Sequence, residues 1–234
     1  MKFSPLALLV LVALALGLPA SPVMAKPAAK RAAHATAHTV AKPPVAPSKA
    51  AAPLALQVLP GDRMLGDPKA KVTIIEYGSV ACPICARFNA SVMPDLKAKY
   101  ITTGKVRYIF RPMLTGVPTV AMAGTRLAEC VARDRYFDVV DSVMKAQAEY
   151  YAWGENNMLA GPVLVRIAAS YGLDEATYNK CVVDPVGNKT LNDANKSYIL
   201  GGVTGTPTFF INGKRMDYPV HGMTDFDAAI AAAQ

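Results

Sequence analysis

The chain has 234 residues, with 25 Lys or Arg against 17 Asp or Glu, so its net charge is +8. Six of the basic residues and none of the acidic ones fall in residues 1–60, which leaves nineteen against seventeen, or +2, for residues 61–234. A nearly neutral folded part behind a basic segment argues against nucleic acid as a partner. It agrees with simple solubility or a loose attraction to anionic surfaces.

The first 25 residues have the pattern of a secretory signal peptide. Lys2 precedes an apolar stretch over residues 6–18, which is shorter than the roughly 20 residues of a membrane span. Val23 and Ala25 provide the small residues that suit cleavage after Ala25. An uncleaved anchor is the alternative, because Lys2 and the start amine are the only positive charges ahead of the apolar stretch. We expect export to the periplasm or another extracytoplasmic compartment.

Residues 26–60 are mostly Ala, Pro, Lys, Thr and Val, and they include no acidic and no aromatic residue. Such a segment cannot bury enough apolar surface to offset the entropy lost on ordering. The repeated prolines favour extended conformations. We therefore predict a disordered linker over 26–60.

Residues 61–234 are enough for one domain with a substantial core. Strands are predicted at 71–77, 105–110, 208–211 and, after the Asn212-Gly213 turn, 214–218. Helical spacing of apolar residues predicts helices at 120–131, 136–151, 162–170, 174–183 and 186–200. The last helix is predicted to open at Thr224, with Asp227 in a weaker form of the capping box. This order indicates an α/β fold with helices on both faces of a small mixed sheet and an inserted helical block at about 118–200.

Two cysteines lie one helical turn apart in Cys82-Pro83-Ile84-Cys85, directly after the first predicted strand. Cys82 is expected at the N-terminus of a helix, where free amides and the helix dipole stabilise a thiolate over a thiol. Pro83 suits the first helical position, which needs no donor. Half a zinc site or a pair of core cysteines is the alternative, but no second C-x-x-C or His pair supplies the remaining zinc ligands. The pattern therefore indicates a redox-active pair that needs no metal and no cofactor.

Five stretches together carry a resemblance to a known family. They are Ile74–Tyr77 at the end of a strand, Cys82–Cys85, Phe88, Phe110–Pro112, and Gly202–Gly213, which contains Gly-Thr-Pro-Thr before a strand. In this combination the chain resembles the DsbA-like branch of the thioredoxin superfamily over nearly all of residues 61–234. The resemblance implies a thioredoxin-like fold with an inserted all-helical subdomain.

The same resemblance implies roles for several residues. Thr206-Pro207 is expected to be a cis peptide bond that faces the cysteines, although an ordinary proline ahead of a strand would have the same sequence. Substrates are expected to contact Thr206, Pro207 and the two residues between the cysteines, Pro83 and Ile84. Glu76 is expected to be a buried acid beneath Cys85 that exchanges a proton with it through water. The alternative for Glu76 is a strand-end carboxylate that reaches solvent.

Cys130 and Cys181 are the two remaining thiols. In an oxidising compartment, pairing them is the economical assignment, and some members of the family carry such a second bridge. The alternative is two free buried thiols. We predict a structural disulfide that closes a loop of about fifty residues.

These features predict an exported thiol/disulfide oxidoreductase that works mainly as an oxidant. Its implied partners are unfolded or thiol-bearing secreted proteins and a membrane redox partner that recycles it, and we expect a monomer. Ile84 offers neither a donor nor a positive charge beside Cys85, which predicts a milder oxidant than the strongest members of the family. A reductase or isomerase, or a redox-inert chaperone-like binding module, is the alternative.

Overall fold

The computed structural model describes residues 57–151, 160–217, 219–220 and 222–234. The predicted signal peptide and all but the last four residues of the predicted linker lie outside these ranges. Within them, no helix combines the length and the apolar character needed to cross a membrane.

One mixed sheet of five strands forms the centre of the described residues, in the spatial order β1-β3-β2-β4-β5. The strands are β1 (Arg63–Leu65), β2 (Val72–Gly78), β3 (Val106–Pro112), β4 (Thr208–Ile211) and β5 (Lys214–Arg215). Three of them match the predicted strands to within two residues. β1 was not predicted, because three residues are too few to show an alternating pattern. β5 is shorter than the predicted strand at 214–218.

Helices occupy most of the remaining described chain. Between β2 and β3 lie α1 (Pro83–Ser91), α2 (Met93–Leu96) and a π-helical turn (Lys97–Ile101). Between β3 and β4 lie α3 (Pro118–Cys130), a 3-10 turn (Arg133–Arg135), α4 (Tyr136–Lys145), α5 (Gln147–Tyr150), α6 (Ala160–Ser170), α7 (Glu175–Val182) and α8 (Pro185–Leu200), and α9 (Met223–Ala231) follows β5. The described residues between β3 and β4 contain helices but no strand, in agreement with an all-helical insert.

The central strand β2 positions the rest of the sheet. It pairs in parallel with β3, where Glu76 lies opposite Phe110, and antiparallel with β4, where Tyr77 lies opposite Thr208. This register brings the chain just before β4 alongside the end of β2. The segment around Pro207 and the segment that leads into Cys82 therefore meet at one end of the sheet.

The two faces of β2 are buried against different parts of the molecule. Successive side chains of a strand point to opposite faces. Ile74 accordingly joins the larger hydrophobic cluster with Phe88 of α1, whereas Ile75 and Tyr77 join a smaller cluster with Tyr198 of α8. Glu76 shares its face with Ile74, on the side covered by α1 and α4. A carboxyl group thus lies in an otherwise apolar layer.

The predicted helix over 136–151 is broken in the structure. Ala146 has φ −77° and ψ 0°, and it separates α4 from α5. Ala is the strongest helix former, so no local preference explains the break. The side chains that follow Ala146 make long-range contacts, which override local propensity.

The last helix begins within one residue of the predicted Thr224, but the predicted capping box was wrong. The helix begins at Met223, preceded by Gly222, and no side chain caps it. Asp227 instead accepts hydrogen bonds from Lys99 Nζ and Tyr100 Oη, both at 2.8 Å. Two hydrogen bonds from a neighbouring element, one of them from a charged lysine, stabilise the carboxylate more than a weak capping hydrogen bond would. The inward orientation of Phe226 and Ile230 was predicted correctly, because both are fully buried.

A buried arginine ties the start of the described chain to the sheet. Arg111 on β3 donates from Nε to Asp62 Oδ1 at 3.0 Å and from Nη2 to Asp62 Oδ2 at 2.9 Å. It also donates to Tyr77 Oη at 2.7 Å and to the Gln57 carbonyl oxygen. A planar, bidentate pair of this kind fixes geometry as well as charge. Residues 57–62 are therefore held against β3.

Candidate redox site

Cys82 lies where the strand-to-helix turn ends. It is the N-cap residue of α1, with an extended backbone (φ −91°, ψ 121°), and Pro83 occupies the first helical position. The Cys82 amide donates to the Ser79 carbonyl at 3.1 Å, and the Cys82 carbonyl accepts the first helical hydrogen bond, from Ala86, at 3.0 Å. The thiol therefore faces the free amides at the start of the helix.

The two thiols of the motif have different surroundings. Both are free cysteines, but Cys82 retains 7% of its surface exposed, whereas Cys85 retains none. Pro83 and Ile84 are exposed between them, with Ile84 at 39%. An incoming thiol or disulfide can therefore reach Cys82 past Pro83 and Ile84, while Cys85 is covered.

These surroundings shift the two pKa values in opposite directions. The pKa of Cys82 falls to about 5, chiefly because the Cys85 thiol donates a hydrogen bond to it, with further hydrogen bonds from Thr206 and the amides of Cys85 and Ile84. Burial raises the pKa of Cys85 well above its usual value, and the hydrogen bond with Cys82 and the charge of Glu76 add to the effect. At neutral pH, Cys82 is a thiolate and Cys85 is a thiol.

The loop before β4 faces Cys82. The Thr206-Pro207 peptide bond is cis, as expected. Cys82 Sγ lies 3.4 Å from the Thr206 carbonyl oxygen, and the hydroxyl groups of Thr206 and Thr115 are hydrogen-bonded to each other. Thr206 and Pro207 thus lie directly against the reactive sulfur.

Glu76 is buried behind the cysteines and does not reach solvent. Tyr108 Oη donates to its Oε2, and its Oε1 has no hydrogen-bond partner among the described residues. Burial raises the pKa of Glu76 to about 8, although the Tyr108 hydrogen bond opposes the shift. A cavity of about 260 Å³ borders Glu76 and Tyr108, with Asn89 and Asp141 also in its wall. The carboxyl group is therefore protonated at neutral pH and adjoins space that water can fill.

Cys130 and Cys181 lie together in the insert, away from the C-x-x-C motif in sequence and on other elements. The structure pairs them as a disulfide between the end of α3 and α7, with their Cα atoms 6.3 Å apart. Among the described residues, no group of three or more His, Cys, Asp or Glu side chains is arranged to hold a metal ion.

Comparison with known proteins identifies the family. Residues 59–232 match the sequence model described as thioredoxin. The crystal structure of Wolbachia pipientis alpha-DsbA1 is similar to this chain with a TM-score of 0.70 and 30% identity, covering 78% of this chain and 95% of that one. The chain belongs to the DsbA-like branch of the thioredoxin superfamily.

Other relatives of this DsbA-like chain agree with that placement. A Rickettsia bellii protein with the provisional name protein-disulfide oxidoreductase is 29% identical over 174 residues, which is 74% of this chain. The chain spans 64% of the length of that relative. A protein-disulfide isomerase structure from Novosphingobium aromaticivorans has the same fold, with a TM-score of 0.63, 23% identity, and coverage of 75% of this chain and 98% of that one.

Sequence reasoning missed a group of residues that surround the turn before Cys82. Ser79 Oγ donates to the Thr115 carbonyl at 2.9 Å and accepts from the Ala81 amide at 3.2 Å. A methyl group on Gly116, which has φ +76°, would lie 2.3 Å from the Ala81 carbonyl oxygen. Gln147 and Tyr151 of the DsbA-like insert approach the same turn. In the sequence, Gly116 followed by Val117-Pro118 was the only local sign of a tight turn here. Gln147 and Tyr151 gave no sign of a role at the site, because they lie within a stretch with ordinary helical spacing.

Proposed function

We propose that this DsbA-like protein is a thiol/disulfide oxidoreductase that exchanges disulfides with other proteins through Cys82 and Cys85. The contrast between the two thiols carries the proposal. Cys82 keeps a small exposed surface, sits at a helix N-terminus and has a pKa of about 5, whereas the Cys85 thiol is fully buried and held protonated. Thiol/disulfide exchange depends on thiolate character and on access to the sulfur, and Cys82 exceeds Cys85 in both.

In the oxidising direction, a substrate thiolate attacks Cys82 Sγ of the Cys82–Cys85 disulfide. The enzyme disulfide breaks, a mixed disulfide forms between Cys82 and the substrate, and Cys85 leaves with the electron pair. A second substrate thiolate then attacks the substrate sulfur of the mixed disulfide and releases Cys82 as a thiolate. Two electrons pass from the substrate to the enzyme, which ends as a dithiol.

Glu76 supplies the proton that the first step needs. Cys85 leaves as a thiolate inside an apolar environment, where burial strongly favours the neutral thiol. Glu76 holds a proton at neutral pH because its own pKa is about 8, its charge acts on Cys85, and the cavity beside it gives the carboxyl group room to exchange its proton with water. Glu76 therefore acts as the general acid for Cys85 in oxidation and as the general base when the reaction runs backward.

The direction of exchange in the cell follows from the stability of the Cys82 thiolate. A stabilised thiolate favours the dithiol form of the enzyme, which makes the disulfide form an oxidant. Beyond its backbone amide, Ile84 adds nothing to this stabilisation, because its side chain has no donor and no positive charge. The protein is therefore a milder oxidant than DsbA, with a potential more negative than about −120 mV.

The proposed setting is an extracytoplasmic compartment, reached through the N-terminal segment with its apolar stretch at 6–18. A disulfide between Cys130 and Cys181 is stable in such a compartment and rare in a reducing one. The proposed substrates are thiol-bearing secreted proteins, bound in extended form against Thr206 and Pro207 beside the exposed Pro83 and Ile84. A membrane redox partner returns the enzyme to its disulfide form.

The test compares oxidative refolding and insulin reduction by the wild-type protein and by Cys82→Ser. We expect wild type to accelerate refolding of a reduced substrate and Cys82→Ser to be inactive, while Cys130→Ser keeps the activity. An inert wild-type protein would contradict the proposal and favour a redox-inert binding module. Faster rearrangement of scrambled disulfides than oxidation of reduced ones would favour an isomerase.

A further inference from the structure

Three consecutive backbone carbonyl groups in the turn before α1 accept hydrogen bonds from one short segment of the insert. Gln147 Nε2 donates to the Val80 carbonyl oxygen at 2.7 Å and to that of Cys82 at 3.2 Å. Tyr151 Oη donates to the Ala81 carbonyl oxygen at 2.6 Å. Tyr150 Oη adds a second donor to Val80 at 3.2 Å.

These side-chain donors come from far along the chain. The partners are separated by 65 to 70 positions in sequence. Gln147 and Tyr150 are buried, so water does not compete for their hydrogen bonds. A buried carbonyl group that loses its donor keeps its full desolvation penalty. The break at Ala146, which ends α4 and starts α5, directs the Gln147 side chain to the turn.

The carbonyl groups matter for the sulfur because they carry negative partial charge. The amides of Ile84 and Cys85 stabilise the Cys82 thiolate from the helix side. A carbonyl oxygen of this turn that lost a donor would act against them, most of all that of Ala81, because Val80 also accepts from Tyr150 and Cys82 from the Ala86 amide. Donors from Gln147 and Tyr151 offset this negative charge and fix the turn. Tyr151 is close enough to Cys82 for the thiolate charge to raise the pKa of its phenol, to which burial contributes most.

The turn is held from the other side as well. Ser79 bonds to the Thr115 carbonyl, and the Gly116 backbone packs directly against the Ala81 carbonyl group. The turn is therefore clamped between the start of the insert, at Thr115 and Gly116, and the α5 segment. Displacement of either side would move Cys82 relative to the N-terminus of α1.

We propose that Gln147 and Tyr151 are positioning residues of the redox centre, through which the helical insert sets the reactivity of Cys82. This inference rests on the proposed function, since it concerns the same cysteine. It assigns the insert a direct part in tuning the thiolate, in addition to any part in shaping a substrate surface. Tyr150, which is fully buried and also bonds to Val143, supports the segment from beneath.

The test removes one donor at a time from the full chain. Tyr151→Phe deletes only the hydroxyl group that reaches Ala81, and Gln147→Leu deletes the amide at similar volume. Tyr171→Phe is the matched control, because its hydroxyl group bonds to Ser142 Oγ at 2.8 Å within the same insert. The thiolate absorbance of the reduced proteins near 240 nm gives the pKa of Cys82, and equilibration with glutathione gives the redox equilibrium.

We expect the pKa of Cys82 to rise by about half a unit in Tyr151→Phe, because the Ala81 carbonyl oxygen loses the donor that offsets its negative partial charge. Gln147→Leu should raise it in the same direction by no more, because the two carbonyl acceptors of Gln147 each keep a second donor. The equilibrium with glutathione should shift about threefold toward the disulfide form of the enzyme in Tyr151→Phe, because a less stable thiolate disfavours the dithiol form. Tyr171→Phe should match wild type in both measurements. If Gln147→Leu does not fold, Tyr151→Phe decides alone.

An active wild-type protein whose Cys82 pKa and redox equilibrium are the same in Tyr151→Phe as in Tyr171→Phe would overturn this inference and leave the proposed function intact. An equal loss of thermal stability in the two Tyr variants, with a pKa change only in Tyr151→Phe, supports positioning over a merely structural role. A wild-type protein that is inert in exchange would overturn the proposed function, and the Cys82 titration would still decide whether the insert sets its pKa.

Discussion

The two cysteine pairs of this chain show how far surroundings decide the chemistry of the same side chain. Cys82 and Cys85 lie three residues apart at the start of α1, one slightly exposed and one fully buried, with pKa values displaced in opposite directions. Cys130 and Cys181 join α3 to α7 across 51 positions. The first pair is surrounded by donors, a buried acid and a facing loop, whereas the second links two helices.

The difference indicates a division of roles. A pair closed over three residues constrains the unfolded chain little, so its value lies in the reactivity of one thiol. A pair closed over about fifty residues removes much more freedom from the unfolded chain and is useful as a permanent link. The comparison can be tested by changing each pair and its neighbours separately.

The largest expected effect comes from separating the two thiols of the motif. In Cys85→Ser, Cys82 should form a mixed disulfide with glutathione disulfide that persists, because the resolving thiol is missing. In Cys82→Ser, the buried Cys85 should form at least ~100-fold less adduct at pH 7, since almost none of it is ionised. Mass spectrometry of the intact proteins measures both. Similar adduct levels would show that the two thiols are not distinct.

The second effect concerns Cys130 and Cys181, the cysteine pair of the helical insert. Replacing both Cys130 and Cys181 by Ser should lower the free energy of unfolding by about 4 kcal/mol, as the loop length implies. For a domain of this size that corresponds to a fall in Tm of roughly 10 °C. Exchange activity per folded molecule should be unchanged. Thermal unfolding followed by circular dichroism measures the loss of stability, and an unchanged Tm would contradict a structural role for this disulfide.

The third effect concerns Glu76 and the pH dependence of stability, measured on the disulfide form, in which Cys82 and Cys85 do not titrate. The pKa of Glu76 is raised from 4.5 to about 8, so the folded state binds the proton more tightly than the unfolded state. Stability from this group is fully present below pH 4.5 and is lost as pH rises toward 8.

Glu76→Gln should remove that loss. The free energy of unfolding near pH 8 should then exceed that of wild type by an amount on the order of a few kcal/mol, with the difference shrinking toward pH 4.5. Urea unfolding at several pH values measures this difference. Glu175→Gln, on the exposed first turn of α7, controls for loss of a carboxylate and should not raise the free energy of unfolding near pH 8.

The smallest effect concerns the turn that holds Cys82. Gly116→Ala introduces a methyl group against the Ala81 carbonyl oxygen at a positive φ, which should cost about 2 kcal/mol. Gly161→Ala adds the same methyl group where nothing lies within 4 Å, so it should cause no loss. Chemical denaturation compares the two. Equal effects would mean that the turn is not tightly held at Gly116.

The fold was largely predictable because its signals are local. β2, β4 and the position of Cys82 at a helix start follow from short apolar strands and from Pro83 after a cysteine. The burial of Glu76 follows from its place in an apolar strand. The family resemblance linked Cys82–Cys85 with the Gly202–Gly213 stretch, more than a hundred residues later. It also predicted the cis bond before Pro207.

What could not be predicted depends on long-range side-chain contacts. The break at Ala146 has no local cause, and Gln147 and Tyr151 show their role only when the turn before Cys82 is brought beside them. Asp227 fits a weak capping pattern in sequence, yet its partners are Lys99 and Tyr100, more than 120 positions away. A single sequence carries no record of such pairings.

The anchor formed by Arg111, Asp62 and Gln57 also determines where a tether would pull on the domain. Whatever precedes Gln57 joins the domain on the β1–β3 half of the sheet, whereas Thr206 and Pro207 lead into β4 on the other side of β2. Arg111 and Thr208 both lie opposite Tyr77, so the anchor and the loop before β4 flank β2 at the same end of the sheet. A force applied through the chain before Gln57 would therefore reach β3 first, beside the strand that leads into Cys82.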